Sequence, residues 1–231
     1  MKMKTLAVLA GVSAPLIASA PSDAGFVGIS WTKKPNAYNL MVVNVYAEFD
    51  NPGADHMQAV AGTPNNPMDI TVIGGSFYNH AFGGDQAPQA ALVAAFPDLA
   101  FDSFYTIGRK VIDPPGADLN VLNLVNMPVL SGTGVHTING AYGLVPPNGP
   151  QGDPFDSVNN FPGNGSILIG QFSMVIPDTG PYGIQGAFYL QYVSDGTVGN
   201  SYVSFENIVP TPGALGLLGI AGLIGRRRRR R

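Results

Sequence analysis

Asp50, Asn51 and Asp55 fall within six residues beside Pro52 and Gly53, at the end of an apolar alternating run. Calcium takes several oxygen ligands at about 2.3 to 2.6 Å, and turns that end a strand often supply them. Asp85, Asp102 and Asp195 are the carboxylates that another loop would add. No EF-hand or repeat-type calcium pattern accompanies these residues, and Asp and Asn also favour turns for their own backbone reasons, so solvated turn residues are the other reading. Calcium is the one cofactor candidate; none is otherwise implied. His56, His80 and His136 are far apart in the chain, without the His-Glu-x-x-His spacing of a zinc hydrolase. Ser76 and Ser166 each follow a glycine-containing stretch but lack the final glycine of a Gly-x-Ser-x-Gly elbow. With only Glu48 and Glu206 as glutamates, the chain is poor in paired carboxylates of the glycosidase type. Trp31, Tyr38, Tyr78, Tyr105, Tyr142, Tyr182, Tyr189 and Tyr192 would stack on sugar rings if some line one exposed face, although aromatics on strands more often pack in a core. Tyr189 stands out, because it lies opposite the face of Phe188, Leu190 and Tyr192.

Strands must position these groups. Residues 40–49 alternate strictly, with Met41, Val43, Val45, Ala47 and Phe49 on one face and Asn44 and Glu48 on the other, which predicts a half-buried strand. Residues 167–176 repeat the pattern, with Leu168, Phe172, Met174 and Ile176 on one side, Gln171 and Ser173 opposite, and Gly170 as a bulge. Residues 186–193 and 202–208 flank Ser194-Asp195-Gly196, a hairpin signal whose loop reads as longer than two residues. Shorter strands are expected at 26–32, 58–61, 68–73, 76–78, 104–107 and 135–138, a short helix at 90–96, and one long surface loop at 145–162. Thirty glycines and twenty prolines beside a 45% apolar content favour a turn-rich β architecture over disorder. The fold expected is all-β: a single antiparallel β-sandwich over residues 25–208, with the jelly roll among its topologies.

Both ends read as addresses. Residues 1–24 have the form of a secretory signal peptide: Lys2 and Lys4, an apolar stretch over 6–17, then small residues. Cleavage after Ala20 would leave Pro21 in front, so cleavage after Ala24, leaving Gly25, is preferred; a retained N-terminal helix is the alternative. At the other end, residues 209–231 run Val209, Pro210, Thr211, Pro212, thirteen uncharged and mostly apolar residues, then Arg226, Arg227, Arg228, Arg229, Arg230 and Arg231. Thirteen residues of helix reach ~20 Å, short of the ~30 Å hydrocarbon core, so the helix suits a transient anchor whose arginines stay on the cytoplasmic side.

This tail resembles the PEP-CTERM sorting signal of bacterial exported proteins, in which a Pro-Glu-Pro motif precedes a short transmembrane helix and a basic cluster. Thr211 stands where that family has glutamate. The resemblance implies processing by a membrane-embedded exosortase-like enzyme; an ordinary tail anchor or a basic low-complexity tail are the alternatives. The middle of the chain also looks like uncharacterised exported proteins bearing the same tail, through Val45-Tyr46-Ala47-Glu48-Phe49-Asp50-Asn51-Pro52, Phe82-Gly83-Gly84-Asp85 and Leu99-Ala100-Phe101-Asp102-Ser103-Phe104 running to Ile107-Gly108. That likeness implies a shared sandwich and no known chemistry.

Charge is divided the same way. Between the two ends only Lys33, Lys34, Arg109 and Lys110 face fourteen acids, a net −10, which excludes a nucleic-acid partner because phosphate binding needs a basic surface. The absence of cysteine removes disulfides, cysteine nucleophiles and a lipoprotein anchor. The expectation is an exported, non-enzymatic cell-envelope or extracellular-matrix protein, transiently held in the inner membrane by its C-terminal helix and in contact with extracellular polysaccharide. A carbohydrate-binding adhesin and a secreted hydrolase of unrecognised type are the alternatives.

Overall fold

Residues 40–49, the segment that alternates best, form one of twelve strands in a computed structural model that describes residues 25–36, 38–112, 121–156 and 161–210. In chain order the strands are β1 (Phe26–Pro35), β2 (Leu40–Phe49), β3 (His56–Ala61), β4 (Met68–Ile73), β5 (Phe104–Tyr105), β6 (Val121–Val125), β7 (Gly134–Thr137), β8 (Ala141–Val145), β9 (Pro162–Gly163), β10 (Ser166–Val175), β11 (Tyr182–Ser194) and β12 (Thr197–Val209). A helix, α1 (Ala90–Ala95), and 3-10 turns at Pro97–Phe101 and Pro150–Gly152 complete them. The fold is all-β, in two antiparallel sheets.

The first sheet runs β1, β2, β10, with β5 and β9 both pairing β10. In the second, β12 pairs β11 along its whole length, while the other edge of β11 is shared: residues 183–187 pair β4 and residues 189–193 pair β3. Beyond these lie β7, on β4, and β8 then β6, on β3. The two sheets contribute to one apolar core. Phe172 of β10 stacks near Phe188 of β11 and Phe205 of β12, at ring separations of 6.3 and 6.4 Å, and Trp31 of β1 approaches Phe205 at 6.2 Å. Fully burying a side chain of this size contributes about 1.5–3 kcal/mol, so a few such contacts outweigh any single surface interaction.

The apolar face predicted for β2 is buried as expected, but the opposite face is not open to solvent. Met41, Val43, Val45, Ala47 and Phe49 enter the core, but Leu40, Val42, Asn44 and Tyr46 are buried as well, so the strand is covered on both faces and not half-buried. In β10 the register slips between Leu168 and Gly170. That bulge, expected from Gly170, reverses the parity before it: Ile167 and Ile169 join Phe172 and Met174 in the core, and Leu168 lies on the opposite face. Gln171 and Ser173, expected to face solvent, are fully buried because residues 97–103 lie over them. The Gln171 side-chain amide donates to the carbonyls of Ala100 and Asp102, and Ser103 Oγ donates to the carbonyl of Ser173.

Three further expectations change. Residues 76–78 form no strand beyond a single bridge from Phe77 to Met174. The hairpin loop between β11 and β12 has only two residues, Asp195 and Gly196, both with positive φ (50° and 75°), because pairing continues through Thr197, Val198 and Gly199. The long loop after β8 is not wholly at the surface: Gln151 and Gly152 are buried, and the Gln151 amide donates to the Ile107 carbonyl at 2.5 Å.

Candidate functional site

The acidic turn comes together as its spacing suggests, around hydrogen bonds. The Asn51 backbone N–H donates to Asp55 Oδ2 at 2.9 Å, closing the turn, and the Asn51 side-chain amide donates to Asp195 Oδ1 at 2.9 Å. The β11–β12 turn thus meets the turn after β2 at one end of the molecule. Asn51 presents its nitrogen to Asp195, which is a hydrogen-bond arrangement and not one of oxygens converging on a cation. Asp50 is exposed. Asp85 and Asp102 lie elsewhere, and among the described residues no three His, Asp or Glu side chains gather at metal-binding separation. Asp55 is 0% exposed, and its Oδ1 has no hydrogen-bond partner.

The three histidines are placed apart. His136 Nδ1 meets Asp69 Oδ1 at 2.5 Å across the β4–β7 register, and the pair is exposed. His56 opens β3. His80 Nε2 lies 3.4 Å from Asp98 Oδ2, and His80 Nδ1 accepts the Phe82 N–H. Beneath it Asp102 accepts the backbone N–H groups of His80 (2.8 Å) and Gly84 (3.2 Å). Burial raises the Asp102 carboxyl above the usual carboxylate range, against the lowering effect of those N–H donors. A Cβ on Gly83 would stand 1.8 Å from Asp102 Oδ2, so only glycine fits there. Asp85 is used similarly, accepting the Leu130 N–H at 2.9 Å. The segments 82–85 and 99–104, singled out by resemblance, are therefore two halves of one loop clasp. Glu48, from the third segment, accepts hydrogen bonds from the hydroxyls of Ser30 and Ser166, which occupies both its oxygens and one of the two candidate serines. The other glutamate, Glu206, lies in the other sheet.

Of the aromatic residues weighed for sugar stacking, Tyr105, Tyr142 and Tyr192 are buried, and burial pushes the phenols of Tyr105 and Tyr142 far up. Tyr105 Oη donates to the Pro128 carbonyl and Tyr142 Oη to the Ile169 carbonyl. Trp31, Tyr78 and Tyr182 are partly covered, while Tyr38 is exposed at the end of the first sheet. Tyr189 faces outward on the second sheet. Its cross-strand partner is Tyr202, 45% exposed, which the sequence reading missed.

The register lays out the rest of that outer face. One row runs Val125, Ala141, Ala61, Tyr189, Tyr202; the next runs Asn123, Gly143, Ala59, Gln191, Asn200. The small residues at the centre floor an open trough of about 300 Å³, flanked by Gln58, Gln191, Asn123, Val125, Val145 and Pro147. Its amides are already aligned: Gln191 Nε2 donates to Gln58 Oε1 at 3.2 Å, and Gln58 Nε2 donates to Asn148 Oδ1 at 2.7 Å. No carboxylate, lysine or arginine lines it. Oriented amides over a flat floor of alanine and glycine can exchange hydrogen bonds with hydroxyl groups while a ring lies close to the backbone.

At the C-terminal end Val209 is the last residue of β12, pairs with Tyr182 and packs against the core. Pro210 follows directly and is exposed. Thr211, Pro212 and Arg226 to Arg231 lie outside the described residues, as do residues 1–24. Among the described residues no helix is long and apolar enough to cross a membrane. Comparison with known proteins finds no matching family, no matching curated protein and no matching solved structure.

Proposed function

We propose that the chain is an exported, non-enzymatic protein of the cell envelope or extracellular matrix, sorted by a PEP-CTERM-like tail. The observation that supports this reading most is the junction at Val209 and Pro210. The last strand keeps its pairing and core contacts to its final residue, and the proline motif begins at the next one. A tail that starts where the fold is already complete can be removed without disturbing the core. We infer that the two sheets form the layers of a β-sandwich, consistent with their shared core. The leader over residues 1–24 directs export, an exosortase-like enzyme acts near Pro210 to Pro212, and the inner membrane holds the chain transiently through the helix before Arg226.

Mass spectrometry of the intact protein isolated from its native host tests the assignment. The expected species lacks residues 1–24 and ends near Pro210 to Pro212, with or without added mass. A mature protein that keeps Arg226 to Arg231 would sink the sorting reading.

A second reading is supported by the trough. The amides and small residues of the trough, with Tyr189 and Tyr202 paired on the same face beside it, suit a neutral polysaccharide better than an ionic ligand, which favours a carbohydrate-binding surface role over simple hydration of a matrix.

A further inference from the structure

Asp55 poses a chemical problem that the described chain does not solve. Its carboxylate is fully buried, Oδ2 takes the Asn51 N–H, and Oδ1 has no donor. Burying a carboxylate oxygen without a partner is costly, and native proteins rarely leave one so. The backbone of Gly25 offers an answer. A Cβ built on Gly25 would lie 2.3 Å from Asp55 Oδ1 and 2.1 Å from Ser194 Oγ. With a carbon–carbon bond of ~1.5 Å, the Gly25 Cα lies within about 4 Å of the orphaned oxygen, and its nitrogen is one bond from that Cα. Gly25 itself is buried, with a φ of 126° that glycine adopts freely.

Gly25 is also the residue that leader cleavage after Ala24 would place first. We propose that the α-ammonium group of Gly25, freed by that cleavage, is the partner of the buried Asp55 carboxylate, so that removal of the leader completes the fold at this end. Hydrolysis of the Ala24–Gly25 bond consumes one water. It leaves a carboxylate on the departing Ala24 and an amine on Gly25, which takes up a proton at neutral pH because an α-amino group has a pKa near ~8. A peptide nitrogen carries one N–H; the freed ammonium carries three and a positive charge, which is what an unpartnered buried carboxylate oxygen needs. The proposal rests on the export reading for the cleavage and on the geometry of Gly25, Asp55 and Ser194 for the pairing.

The surrounding contacts hold the new terminus in place. The Gly25 carbonyl accepts the Asp50 N–H at 2.9 Å, and Phe26 stacks on Tyr192 at 4.9 Å and meets Phe49 edge-on at 5.6 Å. The first two residues of the mature chain are thereby tied to both sheets. Among the described residues, Asp50, Asp195, His56 and Tyr192 lie on the strands and turns that meet here and Asp153 on the segment packed beside Phe49, and Asp195 is already engaged by Asn51. A precursor that keeps its leader would lack the pair, which links full stability to export.

The full chain is to be expressed with its leader in a secreting bacterium and the mature protein isolated. Its N-terminal residue is read by mass spectrometry, and its α-amine is acylated with an amine-reactive ester in the folded and in the urea-unfolded protein. The expected start is Gly25, with an amine that reacts at least about tenfold more slowly when folded, as a pKa raised by one unit gives. The dependence of the acylation rate on pH separates pairing from simple burial: an amine paired with a carboxylate titrates above the ordinary α-amino value, and a buried unpaired one titrates below it. In an Asp55→Asn chain that folds, the amine should react faster than in the wild type. A start at any other residue overturns the proposal through the cleavage. A folded amine that reacts like the unfolded one, or titrates below the ordinary value, overturns it through the pairing. The sorting reading is judged separately, by the mass of the C-terminal end.

Discussion

The Asp102 carboxylate is 1% exposed yet fully employed, accepting backbone N–H groups from His80 and Gly84 while Gly83 passes against it. It acts as a folding clasp. An Asp102→Asn change puts an NH₂ where a backbone N–H must be received, and leaving one such donor unsatisfied costs about 1–3 kcal/mol. We expect a loss of that size in urea melts at pH 7. The sign of its pH dependence is opposite to that of an ion-paired carboxylate. Because burial raises the folded pKa above the unfolded one, the folded state binds the proton more tightly. Asp102 therefore adds stability as pH falls through the folded value toward the unfolded one, and that increment is lost as pH rises again. The stability difference between wild type and Asp102→Asn should grow between pH 7 and pH 4; a difference that shrinks over that range would mean a folded pKa below the unfolded one.

At the scale of elements, the β11–β12 hairpin shows how two glycines three residues apart serve different ends. Gly196 sits at φ 75° with open space where a Cβ would go, whereas a Cβ on Gly199 would lie 2.3 Å from the Tyr192 ring. Gly196→Ala should cost about 1–2 kcal/mol by backbone strain alone, and Gly196→Asn less, because Asn tolerates the left-handed region. Gly199→Ala should cost about 1–3 kcal/mol by overpacking, and Gly199→Asn no less, since the larger side chain meets the same ring. Thermal melts of the four variants check the crossover. The same hairpin marks the limit of what was legible beforehand. Strict alternation revealed β2, Gly170 announced the bulge in β10, and the Asp-Gly pair located the turn. Residues 197–201, with Gly199, Asn200 and Ser201, carry no apolar period, so the strand continuing through them could not be seen, nor could the two-residue loop. The burial of Gln171 and Ser173 was hidden for a related reason. Their covering segment, residues 97–103, contacts them from about seventy residues away, meeting Gln171 with the Ala100 and Asp102 carbonyls that any sequence provides and Ser173 with the Ser103 hydroxyl, which no local pattern links to it. Of the candidate sites, the meeting of Asn51 with Asp195 was foreshadowed by residue type, but Tyr202 became visible only when the register set it beside Tyr189.

Across the whole molecule, net charge and the trough point to different kinds of contact. The chain between its two ends carries −10, which attracts cations and repels anionic polymers, while the residues lining the trough carry no charge. A matrix role through cation bridging and a role in binding neutral glycan therefore differ in salt dependence. Raising ionic strength from about 0.05 to about 0.5 M shortens the screening length severalfold and should abolish the first while leaving the second. On an array of neutral glycans the mature protein should bind with little change over that range. Tyr189→Ala and Tyr202→Ala should each weaken binding about five- to tenfold, as the loss of about 1 kcal/mol of ring stacking implies. Both side chains lie outside the core, so the melting temperature should hold for Tyr189→Ala and fall only by the loss of the exposed Tyr202 Oη hydrogen bond to the Pro67 carbonyl for Tyr202→Ala. Binding that disappears with salt or with a calcium chelator, and ignores both tyrosines, would assign the contact to the acidic surface. The trough would then be only the outer face of a sheet whose small residues let Gln58, Gln191 and Asn148 form their amide chain.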